Sequence, residues 1–201
     1  MTVEVGRRRR RLEPDARREQ ILSVAIQLFG ERSYADVSTT DVARAAGVAR
    51  GLVNHYFGTK KELYLEVVRV MLTVPGVALE RLPDADPPAR AAAIVTWFLD
   101  VVSRHSNSWL AAITAGGIAG DPDVDQVIAE AIDVAADSVI AAVGLAGRED
   151  PALRGMARAY VGFASCTAQE WLQRSVLSRA QVHTLLTATL LTMVERVFPD
   201  A

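Results

Sequence analysis

Cysteine and histidine are scarce in this chain, which holds one cysteine and three histidines among its 201 residues. Cys166, the single cysteine, has no partner for an intrachain disulfide, and this fits a reducing compartment. Structural and sensory metal sites are usually built from Cys and His side chains at short spacing, and no such spacing is present. The sequence therefore argues against a metal sensor, and we expect neither a metal nor a cofactor.

Long hydrophobic runs are also missing. No apolar stretch approaches the roughly 20 residues that a membrane-spanning helix needs. The arginine run at 7–11 is followed by the charged segment LEPDARREQ, whereas an export signal would continue with an apolar stretch. We therefore expect a cytoplasmic protein with no membrane partner.

The motifs of common enzymes are absent as well. The chain has no glycine-rich phosphate loop, no HExxH and no CxxC pattern. His105 lies far in sequence from Cys166, and the acidic pair Asp121 and Asp123 stands at a predicted helix start, where capping explains it. We predict that the protein is not an enzyme, although a catalytic site assembled from distant residues would leave no local motif.

What the chain does contain is an uneven distribution of charge. The formal net charge is −2, but residues 1–60 hold 11 Lys and Arg against 7 Asp and Glu, whereas residues 61–201 hold 11 against 17. Half of the residues are hydrophobic, which is enough for a substantial core. This asymmetry indicates a basic contact module fused to an acidic body.

Hydrophobic residues recur at helical spacing throughout, and the alternation typical of strands is absent. The segment 17–32 presents one apolar face that includes Ile21, Ala25 and Phe29. Helix starts are predicted at Ser38, Thr59, Asp121, Asp150 and Ser178, where short polar side chains can cap free N–H groups. The predicted fold is therefore all-α.

Two short predicted helices flank a tight turn at Gly47, which is the helix-turn-helix pattern. In the second helix, at about 49–57, Val53 and Phe57 are four residues apart and should face inward. Such a helix can enter the major groove of DNA. Arg50 could then bind guanine, Asn54 adenine, and Leu52 a thymine methyl group.

Other polar side chains around this motif are better placed for phosphates. Tyr56 ends the second helix, Lys60 begins the next one, and Thr39 and Thr40 lie in the first turn of the preceding helix. Helix N-termini favour anions, and phosphate contacts position a protein on DNA without reading its sequence. The arginine run at 7–11 would add affinity by releasing counterions.

The segment QILSVAIQLFGERSYADVSTTDVARAAGVARGLVNHYFGTKKELYLEVV resembles the N-terminal domain of TetR-family transcriptional regulators. The resemblance covers about residues 17–68. It implies an all-α homodimer that binds a palindromic operator and releases it when a small molecule enters the C-terminal domain. It places the DNA contacts at Thr39, Thr40, Arg50, Gly51, Leu52, Asn54, His55, Tyr56 and Lys60. Many members have a small hydroxyl residue at the position of Leu52 and Tyr at that of Asn54, so the base preferences do not carry over.

The predicted organisation has three parts. A basic arm at 1–16 precedes a three-helix helix-turn-helix domain at 17–62, and a larger helical domain for ligand binding and dimerisation follows at 63–201. Bulky and polar side chains in the last part suggest a pocket for an apolar or amphipathic effector. The candidates are Trp97, Phe98, His105, Trp109, Phe163, Gln169 and Glu170, with Arg104 as a further polar group. The alternative is that they are core residues, which is what aromatic residues at helical spacing usually are.

A dimer seam is predicted on the last two helices. Ala157, Val161, Ala164 and Ala168 form a small-residue face, and Leu186, Leu190, Met193 and Val197 form an apolar stripe. Two such helices from each subunit would make a four-helix bundle. The alternative is that both stripes are core within one protomer.

The predicted function is that of a homodimeric repressor that binds a double-stranded DNA operator and is released by a small molecule. Two alternatives stay open. One is a ligand-independent or activating DNA-binding regulator, because activation or repression depends on operator position. The other is a helical protein that binds small molecules without specific DNA readout.

Overall fold

The structure is a computed structural model that describes residues 14–72, 86–113 and 120–198. Every regular element in those ranges is an α-helix, which confirms the predicted all-α fold. In chain order the helices are α1 (Pro14–Glu31), α2 (Thr39–Ala46), α3 (Arg50–Phe57), α4 (Lys60–Leu72), α5 (Pro87–Arg104), α6 (Ser106–Ile113), α7 (Pro122–Ala142), α8 (Pro151–Leu172) and α9 (Arg179–Arg196).

Helices begin where the polar caps predict. The Ser38 hydroxyl accepts the Asp41 N–H at 3.1 Å, and the Asp41 carboxylate accepts the Ser38 N–H at 3.0 Å. Thr59 and Glu62 repeat this reciprocal arrangement at the start of α4, at 3.2 and 2.6 Å. Such a capping box satisfies N–H groups that lack a partner inside the helix. The later helices α7, α8 and α9 are capped by Asp121, Asp150 and Ser178.

Some boundaries differ from the predicted ones. Helix α1 begins at Pro14 rather than near Arg17, because proline is well tolerated in the first turn of a helix. Helix α5 likewise has a proline, Pro87, at its first position, with Asp86 as its cap. The arginine run at 7–11 lies outside the described residues, as does the glycine pair Gly116 and Gly117, for which the sequence allows either a hinge or a close-packing point.

Two apolar cores organise these helices. One lies among α1–α4, and it also takes in Ala112 of α6 and Val124 and Val127 of α7. The other lies among α5–α9 around Leu99 and Leu153. Helix α4 is continuous across the predicted domain boundary at 62–63, and Leu72 at its end packs against both cores. The helix-turn-helix unit is therefore built onto the larger unit through shared helices.

Helices α1 and α6 approach each other closely at Gly30. A Cβ atom at this position would lie 2.4 Å from the Ser108 hydroxyl oxygen and 2.9 Å from the Ser108 backbone nitrogen. The Ser108 hydroxyl donates to the Ile26 carbonyl at 3.0 Å. Only glycine allows two backbones to come this near, so Gly30 fixes the contact between the two units.

Most of the side chains predicted for the dimer seam are not accessible at the surface of the protomer. Ala157, Ala164, Ala168, Leu186 and Leu190 are buried inside a single protomer. They pack in the core of the larger unit, where Tyr160 of α8 also donates its hydroxyl to the Leu186 carbonyl at 3.1 Å. A side chain that is already covered within one protomer has no surface to offer a second. Val161 and Met193 are partly buried, and of the eight only Val197 is exposed.

Candidate functional site

The turn between α2 and α3 is set by Gly47. This residue adopts a left-handed conformation with φ of 65°, which glycine reaches without steric cost. Its N–H donates to the carbonyls of Ala43 and Arg44, and the Val48 N–H donates to Ala43 at 2.9 Å. These bonds satisfy the last carbonyls of α2 and turn the chain sharply into α3.

Helix α3 is held by two apolar side chains, as the spacing predicted. Val53 is fully buried and Phe57 is 7% exposed. Burial of side chains of this size contributes about 1.5–3 kcal/mol each, which stabilises a helix that would be too short to form alone. The guanidinium of Arg18, which is ion-paired to Glu66 at 2.6 Å, lies 4.9 Å from the centre of the Phe57 ring.

The outer face of α3 is polar and accessible. Arg50, Gly51, Asn54 and His55 are exposed. Within the described residues nothing lies within 4 Å of a Cβ built at Gly51, so the backbone here can approach another molecule closely. Ala49 precedes the helix without a side-chain cap, which leaves N–H groups at its start available to an anion.

The predicted phosphate contacts surround this face but differ in accessibility. Thr40 is exposed, whereas Thr39 is only 9% exposed. Tyr56 is partly buried, and its ring lies 5.3 Å from that of His55. Lys60 stands over the Tyr34 ring at 4.1 Å, and its ammonium group lies 3.4 Å from the Ala35 carbonyl.

A separate candidate site, a concave one, lies inside the larger unit. Its cavity has a volume of about 320 Å³ and is bounded by α4–α9. None of the residues on its wall, all of which belong to the described chain, carries a charge. A few polar side chains, among them Ser138, Ser165 and Gln169, interrupt an otherwise apolar surface. This is the composition typical of sites for small organic molecules.

Four of the seven residues that the sequence suggested for a pocket lie on this wall: Trp97, Phe98, Trp109 and Gln169. His105, Phe163 and Glu170 do not. His105 is exposed beyond the end of α5, and Glu170 is turned toward Arg174. Phe163 is 36% exposed because it lies half a helical turn away from Val161 and Ser165, which face the cavity.

Tyr160 of α8 also lies on the wall. No pattern in the sequence pointed to Met71 and Leu72 of α4, Val101 of α5 or Cys166 of α8, which are further members. They are separated by long stretches of chain and belong to ordinary amphipathic patterns. Burial raises the pKa of the Tyr160 hydroxyl well above its usual value, so this group stays neutral.

An ion-pair cluster joins the two units. The Lys61 ammonium lies 2.6 Å from the Asp123 carboxylate and 2.9 Å from that of Asp121. Hydrogen bonds to Asp123 and then Asp121 raise the pKa of Lys61, and the hydrogen bond from Lys61 lowers the pKa of Asp121. From the sequence the two aspartates could be assigned only as helix caps, because Lys61 precedes them by 60 and 62 residues.

Two further properties concern sites that the described residues do not form. Within that part of the chain no group of three or more His, Cys, Asp or Glu side chains is placed to hold a metal ion. None of the helices found there combines the length and the apolar character that a membrane crossing requires.

Known proteins resemble the chain over both units. Residues 21–67 match the bacterial regulatory proteins of the tetR family, and residues 87–193 match the tetracyclin repressor-like C-terminal domain. The HTH-type transcriptional activator FasR of Mycolicibacterium smegmatis is 29% identical over 170 residues, which span 83% of this chain and 77% of FasR. The HTH-type transcriptional regulator BetI of Agrobacterium fabrum is 39% identical, but over only 30% of this chain and 29% of BetI.

Solved structures show the same fold. A tetR-family transcriptional regulator from Streptomyces coelicolor aligns with a TM-score of 0.71 and 25% identity, covering 94% of this chain and 91% of its own. The regulator FadR from Bacillus subtilis, solved in complex with stearoyl-CoA, aligns with a TM-score of 0.63 and 18% identity, covering 89% of this chain and 98% of its own. The C-terminal match alone spans more than half of the residues. The chain is therefore a member of the TetR family of DNA-binding transcriptional regulators, which are not enzymes.

Proposed function

We propose that the protein is a homodimer that binds an inverted-repeat operator through α3 and leaves it when an apolar or amphipathic molecule fills the cavity. The observation that carries the proposal is the outer face of α3, where Arg50, Asn54 and His55 are exposed while Val53 and Phe57 anchor the helix. An exposed polar face on a helix that is anchored by its buried side can present its side chains to base edges.

The DNA interface consists of α3 and the two helix starts beside it. Arg50, Asn54 and Leu52 contact bases, and Gly51 admits the sugar-phosphate backbone. Thr40, Tyr56 and Lys60 hold phosphates, His55 lies at the edge of the contact, and Thr39 acts through its backbone N–H because its side chain is buried. Residues 17–62 therefore form the DNA-binding domain, and residues 63–201 form the domain that binds the ligand and dimerises. Helix α4 belongs to both.

The cavity and the DNA-binding unit share two helices, which gives a route for regulation. Met71 and Leu72 of α4 line the cavity, and the same helix begins directly after α3. Trp109 of α6 also lines it, one residue after the Ser108 that touches α1. A ligand that favours one position of α4 and α6 thereby biases the position of α3.

Dimerisation places two copies of α3 on successive major grooves of one DNA face, about 34–36 Å apart. The exposed faces of α8 and α9, rather than the buried stripes, supply the contact. Release by a ligand makes the protein a repressor where the operator overlaps a promoter. An activating role is the second candidate, because the name of the FasR relative describes a transcriptional activator.

Selection of bound duplexes from random DNA tests the proposal. Purified protein should enrich an inverted repeat whose half-sites are centred about one helical turn apart. Enrichment of a single half-site would contradict the dimer, and no enrichment at low salt would contradict sequence-specific binding. A reporter fused to the enriched site would then separate repression from activation.

The ion pairs of Lys61 with Asp121 and Asp123 allow a prediction about the stability of the joint between the two units. We expect Lys61→Gln to lower the melting temperature at neutral pH by no more than about 4 °C, because exposed ion pairs contribute little. The pKa of Asp121 is lowered in the folded state, so the stabilisation is present above the ordinary Asp pKa and is lost as the pH falls through the lowered one. Wild type and variant should therefore converge in acid when melting is followed by circular dichroism.

A double-mutant cycle supplies the control for this cluster. In the Lys61→Gln background, Asp123→Asn should cost less than it does alone, because its partner is already gone. Asp123 is the better choice than Asp121, whose carboxylate also caps α7. Fully additive effects would show that the two side chains do not interact.

A further inference from the structure

A second concavity lies beside the first, at the joint between the two units. It is an open cleft of about 470 Å³ between α1 and the junction of α5 and α6. Unlike the apolar cavity, it is bordered by charged and polar side chains. Arg104 and His105 stand on one side, and Glu19 and Glu31 of α1 stand on the other.

The two concavities meet at Met71, which lines both of them. Methionine is unbranched and adapts its shape readily, so it can yield to a ligand that passes between them. Helix α5 runs along the same path. Trp97, Phe98 and Val101 line the apolar cavity, and Arg104 lines the cleft one turn later.

Arg104 has spare hydrogen-bonding capacity in the described structure. Its Nε donates to the Asp100 carbonyl at 3.1 Å, which leaves its two terminal nitrogens without a hydrogen-bond partner among those residues. The Asp100 carboxylate is paired with Arg179 and not with Arg104. A guanidinium group with two free nitrogens matches the two oxygens of a carboxylate.

We propose that the effector is a monoanionic amphiphile whose apolar chain fills the cavity and whose carboxylate lies in the cleft against Arg104 and His105. This inference rests on the proposed function and names the ligand class of the same sensor. The cavity offers its ligand no charged partner, so a charged head must lie outside it. Glu19 and Glu31 face the same cleft and would repel a head group with several negative charges.

The size of the cavity sets the length of the chain. If each methylene occupies about the volume of a water molecule, near 30 Å³, roughly ten carbon atoms fill the cavity.

The head group of such a molecule would touch α1 directly. Because the cleft is formed by both units, its occupation would change how the DNA-binding unit sits on the larger one.

Binding of three ten-carbon probes tests the assignment: decanoate, decan-1-ol and decanoyl-CoA. Isothermal titration calorimetry gives the affinities, and tryptophan fluorescence reports entry into the cavity, because Trp97 and Trp109 line it. Decanoate should bind wild type about tenfold or more tightly than decan-1-ol, given the usual strength of hydrogen bonds to charged groups. Decanoyl-CoA should bind more weakly than decanoate.

Arg104→Gln supplies the decisive comparison. It should remove the preference for decanoate and leave the affinity for decan-1-ol unchanged, whereas Arg196→Gln, at an exposed arginine at the end of α9, should alter neither. Equal affinities of wild type for acid and alcohol, equal losses in Arg104→Gln, or tighter binding of decanoyl-CoA would overturn the cleft assignment and leave the cavity as an effector site. If no probe binds, both the head-group site and the proposed cavity ligand are wrong.

Discussion

Ala159→Arg is expected to separate the two protomers and to weaken operator binding by about 100-fold or more. Two half-sites held on one dimer bind with the advantage of a high effective concentration, and separate monomers lose it. Ala159 lies on the exposed face of α8, where a long charged side chain would fill the space that a second protomer needs.

The geometry of α8 identifies this face. Arg154 and Arg158 are directed toward α7, where they pair with Asp137 and Asp133. The exposed residues on the other side are small and begin with Gly155 and Ala159, one helical turn apart. Gly162 and Cys166 follow at the same spacing, and both are exposed as well as lining the edge of the cavity. Across the described residues nothing comes within 4 Å of a Cβ built at either glycine.

Glycine inside a helix costs about 1 kcal/mol relative to alanine, and packing within the protomer gives no reason for it here. A partner helix that approaches closely would give one. The neighbouring α9 exposes Thr184, Leu185 and Ala188, with Leu185 42% exposed. Together these two faces can form a four-helix bundle with their symmetry mates.

Sedimentation and operator titration would measure the effect of Ala159→Arg, with circular dichroism to verify folding. Ala129→Arg is the matched control, because Ala129 is also an exposed alanine inside a helix, on α7 away from the proposed seam. The control should remain dimeric with wild-type affinity. A dimeric Ala159→Arg protein with unchanged operator affinity would place the seam elsewhere.

Asn54→Ala is expected to weaken operator binding by about 30-fold or more while nonspecific DNA binding stays nearly unchanged. A bidentate amide contact to adenine discriminates by about 1–3 kcal/mol, and a dimer makes it twice. Asn54 is exposed and makes no side-chain hydrogen bond within the described chain, so the change removes a DNA contact without loosening the fold.

Titrations with operator and with unrelated duplex at one fixed salt concentration would separate the two effects. Lys60→Gln provides the contrast, since a phosphate contact should affect both duplexes equally and reduce the salt dependence. Gln126→Ala, an exposed amide on α7, controls for loss of a polar side chain far from α3. Equal losses on both duplexes would remove Asn54 from sequence readout.

The helix-turn-helix unit could be read from sequence because its signals are local. Ser38 with Asp41, Thr59 with Glu62, and the left-handed Gly47 are each set by neighbours within a few residues, and the structure contains all three. The inward spacing of Val53 and Phe57 is equally local. Such features depend on the helical repeat and on capping chemistry, which act before any long-range contact forms.

The packing of the larger unit was harder to predict, because an apolar stripe on a helix does not indicate which neighbouring helix covers it. Leu186 and Leu190 were predicted to lie in a dimer seam. They lie in the protomer core instead, because α9 packs against α5 and α8. Phe163 was predicted to line the pocket, but its side chain faces outward. In an all-α protein every helix has an apolar face, and only the packing of helices decides which faces meet.

The sequence by itself determined the helices, their caps, the turn at Gly47 and the polar outer face of α3, because each depends on residues close together in the chain. Tertiary structure alone decided the uncharged cavity, the cleft at Arg104, the close contact of Gly30 with Ser108 and the cluster of Lys61 with Asp121 and Asp123. Each of these joins side chains from distant segments. Their meeting depends on how nine helices in the described chain share their apolar faces, which no local pattern encodes.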